Sequence, residues 1–277
     1  MLNRRTVILF RETLAEAAEL AIARKFFPVI RDRERAAQGD LIVGRYSVLP
    51  YYDELARGLT LSRATLINSY REHRYVADIR QWYPDFEDVT PKTWSRVEDC
   101  PHDQPGAFVL KGSTNSRKHL WDTHMFARDR RSVWRVLDNL LNDPLVPEQG
   151  IVIRQYVPLR QLAEPGVHRL PVTNEWRVFY LNGMPLAQGY YWSEADLPAG
   201  SLPVPPPPAF VKEVGQRLVG KCPFVIGDFG ETAAGYWTLI ELGDAQMGGL
   251  SCIPAESLYG ALQRALTPDL KQLELFQ

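Results

Sequence analysis

Two apolar runs late in the chain, each broken by a single acid, constrain this sequence more than any other feature. The first is V-I-G-D-F-G-E-T, in which Asp228 closes the strand candidate Phe224–Ile226. The second is W-T-L-I-E-L-G-D-A-Q-M-G-G-L, in which Glu241 closes the strand candidate Tyr236–Ile240. A turn around Ala234-Gly235 joins them, so neighbouring antiparallel strands would bring both carboxylates together at one end. Close carboxylates repel unless a cation lies between them. Magnesium, a hard ion, takes one or two carboxylates and completes its shell with substrate phosphates and water. The competing reading is two separate acids that cap turns. Glu231, Asp244 and Gln246 are nearby reserve ligands.

The 277 residues suffice for one large domain or two small ones, and 45% hydrophobic with 23% charged residues is the composition of a globular chain. Lysine plus arginine number 32 against 33 acids, which argues against a generic polyanion or nucleic-acid binder. Cys100, Cys222 and Cys252 form no C-x-x-C pair, so neither a zinc site nor a disulfide framework is expected. His73, His102, His119, His124 and His168 show no metal-ligand spacing, and no G-x-S-x-G elbow is present. The first residues read as a strand rather than a signal peptide, and no apolar stretch is long enough for a membrane. A cytoplasmic location is therefore the expectation.

The first part of the chain alternates strand and helix. Thr6–Phe10 is a strand candidate, Leu14–Phe26 has helical apolar spacing, Asp40–Val43 leads into another strand and Tyr51–Arg57 suggests a second helix. That pattern predicts a small parallel α/β sheet. Residues 85–106, rich in Pro and Asp, read as a connection. Beyond them the pattern becomes antiparallel. Ala107–Lys111 and Gly150–Val157 are strands flanking a helix at Asp129–Leu141, and Asn182-Gly183 between Glu175–Leu181 and Pro185–Trp192 is a hairpin signal. Pro203 and Pro205–Pro208 make a stiff segment ahead of a helix at Phe210–Leu218. The expected class is α+β with a cleft between lobes.

Three further motifs carry chemistry. In A-F-V-L-K-G-S-T-N-S-R-K, Lys111 ends an apolar strand and the small residues Gly112, Ser113, Thr114, Asn115 and Ser116 follow. Such a loop offers backbone N–H groups to phosphate oxygens, and a lysine there must meet an anion or reach solvent. Otherwise the segment is a solvated hairpin turn. In I-V-I-R-Q-Y-V-P-L, a strand runs out through Gln155, Tyr156 and Val157 to Pro158, which suits a hinge whose backbone pairs with a base edge. The plainer reading is a strand end with a surface Arg154. In N-E-W-R-V-F-Y-L-N-G, Glu175 and Arg177 share a strand face, either as a cross-strand ion pair or with Arg177 free to clamp a phosphate. Gly215 to Cys222 imitates a P-loop, but Cys222 replaces the metal-binding hydroxyl and the helix precedes the strand.

Taken in order from Phe108 to Leu250, these motifs resemble the ATP-grasp superfamily, and within it a small bacterial and phage-associated clade related to the eukaryotic initiation-factor assembly chaperones of the cell-division-cycle type. The resemblance implies an ATP-grasp fold, two α+β lobes gripping ATP, preceded by a small parallel α/β domain: residues 1–95, then 96–277 with lobes 96–157 and 158–277. It implies that Lys111 meets the phosphates, Ser113 to Ser116 form a phosphate loop, and Gln155, Tyr156 and Val157 hold adenine. Arg177 would face the terminal phosphate, and Asp228 and Glu241 would bind magnesium, with Asp244 in support. One departure stands out: Gly243 occupies a position where many ATP-grasp enzymes carry Asn.

The implied activity is ATP-dependent carboxylate–amine ligation through an acylphosphate, with unidentified carboxylate and amine substrates, including a peptide or protein. An ATP-gated assembly factor and a phosphotransferase on the same fold are the alternatives. Arg45 and the cluster Asn68 to Tyr75 are candidates to face an acidic substrate group, against a plain surface role.

Overall fold

The computed structural model describes residues 4–10, 17–46, 51–144, 146, 149–164, 170–193 and 195–267. The chain begins with β1 (Thr6–Leu9), α1 (Ala17–Phe26), β2 (Val29–Ile30), β3 (Leu41–Gly44), α2 (Tyr52–Leu61) and β4 (Thr65–Leu66). These strands form one parallel sheet in the order β2-β1-β3-β4. Val7 and Leu9 pack with Leu55 and Leu59 of α2, while Ile8 points to the opposite face with Leu20 and Ala23 of α1. Leu14, predicted to start the first helix, lies outside the described residues, as do Ser47 to Pro50 beyond Arg45.

Two helices follow that the strand-and-turn pattern did not announce, α3 (Tyr70–Ala77) and α4 (Ile79–Phe86). Ser69 caps α3: its Oγ accepts from the Glu72 N–H, and the Glu72 carboxylate accepts from the Ser69 N–H. The predicted connection over 85–106 contains β5 (Thr93–Trp94), whose partner is β8. A second sheet, ordered β5-β8-β6-β7, comprises β5, β6 (Phe108–Gly112), β7 (Phe126–Ala127) and β8 (Ile151–Gln155). Helix α5 (Arg130–Leu141) covers it through Val133, Val136 and Leu140. Asp129 starts that helix, its carboxylate accepting from the Ser132 N–H at 2.8 Å.

After the small hairpin β9 (Gln161–Ala163) and β10 (Val172–Thr173) comes the third main sheet. It is antiparallel, ordered β12-β11-β13-β14, from β11 (Glu175–Leu181), β12 (Met184–Tyr190), β13 (Phe224–Glu231) and β14 (Trp237–Asp244). Asn182 and Gly183, at φ 48° and 80°, form the turn that was predicted. Gly183 is required there twice over, since a Cβ would lie 2.4 Å from the Gly215 carbonyl of α6 (Pro208–Leu218). Val178, Tyr180 and Phe229 pack against α3, α4 and α6 on one face of this sheet. Phe179, Leu181 and Ile226 pack on the other against α1 and α7 (Ala255–Leu266). The first and third sheets thus share a core, and the second meets the third where Lys111 of β6 and Arg154 of β8 reach β14. The architecture is α+β. Among the described residues no helix is long and apolar enough to cross a membrane.

Candidate active site

The two acids fall in register. Asp228 on β13 pairs with Glu241 on β14, and Arg177 on β11 pairs with Asp228 from the other side, so three charged residues form one row across three strands. They are mid-strand rather than terminal, because β13 and β14 run eight residues each. A register shift follows Asp228 at once, the kind of bulge that re-aims a side chain. Arg177 donates from Nε and NH2 to the two oxygens of Asp228, both at 2.8 Å. Glu241 is held by the Nζ of Lys111, which reaches across from β6 of the second sheet. Lys111 is buried, so without this anion its ammonium would be costly to keep dry. Burial pushes the Glu241 carboxyl up, but the charges of Lys111, Lys118 and Arg154 overcome that and hold it down to about 2.

A cavity of about 530 Å³ opens between the second and third sheets. Val109, Met125, Val157 and Ile240 give it apolar walls, and Lys111, Lys118, Glu175 and Glu241 give it a charged end. Gln155 and Tyr156 line it too. Their N–H groups are already used, donating to the Lys92 and Ala107 carbonyls at 2.8 and 2.9 Å, whereas the Val157 N–H donates to no group among the described residues. Arg154 is not on the surface. It is buried, donating to the Ile240 carbonyl and the Thr90 and Thr93 hydroxyls, and burial pulls its guanidinium down to about 10.

The small-residue loop after Lys111 divides in two. Ser113 is buried and donates its hydroxyl to the Gln149 carbonyl at 2.6 Å, and Thr114 donates to the Gln149 side chain. Ser116 and Lys118, by contrast, line the cavity. Lys118 donates to the Tyr191 hydroxyl at 3.0 Å, with its Nζ 4.8 Å from the ring centre. The Arg177 guanidinium lies 4.9 Å from the centre of the same ring. Tyr191 therefore gathers one cation from the loop after β6 and one from β11, a role that no local sequence signal marks. Glu175 is not the partner of Arg177. It accepts from the Thr173 hydroxyl and from Trp192 Nε1, and burial pushes its carboxyl up.

Beyond the row lies a second cavity of about 230 Å³, lined by Arg177, Asp228 and Glu241 and by His73 and Gly249. Asp244 borders it, but its oxygens are taken by Asn68 Nδ2 at 2.9 Å, His73 Nδ1 at 3.0 Å and the Gln246 N–H at 2.9 Å. Gln246 in turn holds the Tyr52 hydroxyl and the Gly44 N–H. Glu231 is engaged as well, by Arg160 and by Asn174 at 2.7 Å. At Gly243 a Cβ would press to 3.3 Å on Ile226. Arg45 is buried against Glu19 and the Ala245 carbonyl, and so serves the core. The structure thus brings Lys111, Ser116, Gln155, Tyr156, Val157 and Glu241 to one cavity, and Arg177, Asp228, Glu241 and Asp244 to its neighbour; Ser113 lines neither.

Two sheets closing on one cavity, with a lysine of one sheet on a carboxylate of the other, define a nucleotide-gripping α+β protein of the ATP-grasp fold. Residues 99–262 match a family of ATP-grasp domains, the one described as family 3 of its clade, and the chain belongs to that family. Solved structures of similar fold include the D-cycloserine synthetase DcsG, at 13% identity over 94% of this chain and 99% of that one with a TM-score of 0.62. The ATP-grasp ligase PsnB complexed with a minimal precursor follows at 11% over 96% and 100%, TM-score 0.59. The D-alanyl-alanine synthetase A of Vibrio cholerae is similar at 12% over 96% and 98%, TM-score 0.56. No curated protein matches the sequence.

Proposed function

We propose that the chain is an ATP-dependent carboxylate–amine ligase working through an acylphosphate. The observation that carries this reading is the row Arg177–Asp228–Glu241 with Lys111 closing it, set between the two cavities. The larger cavity suits the nucleotide: its apolar walls suit a base, the free Val157 N–H a base edge, and Lys111, Ser116 and Lys118 the phosphates. On this reading the chain comprises an N-terminal α/β unit, residues 1–95, and an ATP-grasp unit, 96–277, with lobes 96–157 and 158–277, the strand at Thr93–Trp94 being claimed by the first lobe's sheet.

The donor set fits magnesium. Asp228 and Glu241 are adjacent hard-oxygen ligands, and among the described residues no group of three or more His, Cys, Asp or Glu side chains is placed to hold a metal alone. That suits an ion that takes its remaining oxygens from phosphate and water. Asp244 is left out of the set because its oxygens are occupied. Bound there, magnesium would neutralise charge on the transferred group. PsnB, for its part, has been seen complexed with Mg and ADP.

The chain's own residues then do the following. Lys111 and Arg177, now neutralising Glu241 and Asp228, would be free to meet the phosphates with a cation held on those two carboxylates. A substrate carboxylate oxygen bonds to the γ-phosphorus while the bond to the bridging oxygen breaks and ADP leaves. An amine nitrogen next bonds to the acyl carbon, and phosphate departs with the electron pair of the broken C–O bond. The loop bearing Ser116 and Lys118, docked on Tyr191, shields the acylphosphate from water. The names of the structural relatives, synthetases and ligases, support this class. The test is Lys111→Ala. Affinity for a non-hydrolysable ATP analogue with magnesium should fall about 10- to 100-fold, the loss of one charge-assisted contact of ~1.5–3 kcal/mol; an unchanged affinity would sink the reading.

A further inference from the structure

We propose that the cavity of about 230 Å³ binds the amine nucleophile, and that His73 Nε2 receives its proton. The proposal rests on the ligase reading and names the substrate class of its second half-reaction.

Position comes first. The two cavities meet at Glu241, so a nucleotide in the larger one leaves the smaller one facing the transferred phosphoryl from the other flank of the row. Its volume lies below the roughly 300–1,000 Å³ of whole-ligand pockets, which suits an amino-acid-sized amine or the end of a chain. Gly249 opens it: a Cβ there would meet only Arg177 NH1, at 4.0 Å.

Polarity comes second. His73 is buried, and its ring lies flat on Tyr52 at 3.9 Å and 5°. Asp244 accepts from the Asn68 amide and the Gln246 N–H, so it presents a carboxylate to His73 Nδ1 at 3.0 Å. Nδ1 therefore carries the hydrogen and Nε2 the lone pair. Nε2 makes no hydrogen bond among the described residues, yet it is not sealed from the cavity. An acceptor that opens onto a cavity takes its donor from what fills the cavity, water or the N–H of an amine. The neighbouring cation offers nothing to an anion in this state: Arg177 commits Nε and NH2 to Asp228 and NH1 to the Gly249 carbonyl at 2.9 Å. The site thus selects an N–H donor over a second carboxylate.

The step balances. The neutral amine nitrogen bonds to the acyl carbon, the C–O bond to phosphate breaks and phosphate leaves with that electron pair. The N–H proton passes to Nε2, and Asp244 stabilises the imidazolium until solvent removes the proton.

The experiment uses the full chain with magnesium and the non-hydrolysable analogue AMPPNP, titrated with glycinamide and separately with acetate. The His73 side-chain nitrogen resonance is followed, assigned with His73→Gln. Glycinamide should shift Nε2 and acetate should not, while Gly249→Val, saturated with AMPPNP, weakens the glycinamide response at least tenfold. No response to glycinamide, an equal response to acetate, or full glycinamide binding in Gly249→Val overturns the proposal. If AMPPNP itself does not bind, the nucleotide reading fails separately, and the glycinamide titration of the nucleotide-free protein judges the cavity.

Discussion

Glu241 and Asp244 stand three residues apart on one strand, and they are satisfied in opposite ways. Glu241 meets a single cation sent from another sheet, and 35% of its side chain stays accessible. Asp244 is 1% accessible and meets converging donors from Asn68, His73 and Gln246, all fixed by their own packing. An anion held by one counter-ion at a cavity edge can exchange that partner for another cation at little cost. An anion held by several oriented donors in a dry site has no such freedom, and removing it strands every donor. The strand therefore carries one exchangeable charge and one permanent one, and Asp228, held by Arg177 in the same row, belongs with the first.

The sharpest way to break that division is at the exchangeable end. Asp228→Asn with Glu241→Gln should lower magnesium-dependent ADP formation at least ~10³-fold, as loss of charge stabilisation in a preorganised site does. Its melting temperature should move by no more than a few degrees. Turnover near the wild-type rate would remove the row from the chemistry. Next in size is Asp244→Asn, whose amide would point a donor at His73 or at the Gln246 N–H. It should cost ~2–3 kcal/mol of stability, about 5–10 °C for a chain of this size, with nucleotide affinity within about threefold of wild type. Calorimetry beside a binding titration separates the two effects. If Asp244→Asn spared stability and abolished nucleotide binding, the classes would be reversed.

What could be read ahead of the structure follows from how local each signal is. Asp228 and Glu241 were legible because each breaks an apolar run and a short turn at Gly235, φ 87°, brings the runs back side by side. The turn at Asn182-Gly183 was legible for the same reason. The permanent site was not, because Asn68 and His73 lie 176 and 171 residues from Asp244. The helix that bears His73, Y-R-E-H-R-Y-V-A, buries only His73 and Val76, so its sequence looks like surface. Helix α4 hid behind Pro84 in its interior. Ser113 and Ser116 read alike as loop serines, and only the Gln149 carbonyl, brought close by folding, separates the tether from the cavity wall.

Glu175 tests whether the division is complete, because it mixes both arrangements. Like Asp244 it accepts from neutral donors, the Thr173 hydroxyl and Trp192 Nε1 at 3.0 Å, and both aim at the same oxygen. Like Glu241 it feels an ammonium, that of Lys118. Here burial wins and pushes the carboxyl up, with the charge of Lys118 only partly offsetting it. A carboxyl whose folded pKa exceeds its unfolded value of ~4.3 costs stability as pH rises through that value, and the cost is complete above the folded pKa. Glu175→Gln keeps one oxygen for both donors and removes the charge. It should therefore melt higher than wild type at pH 8 and level with it at pH 4. Should it melt lower at pH 8, Lys118 holds Glu175 as Lys111 holds Glu241, and the charged end of the larger cavity gains a second exchangeable pair.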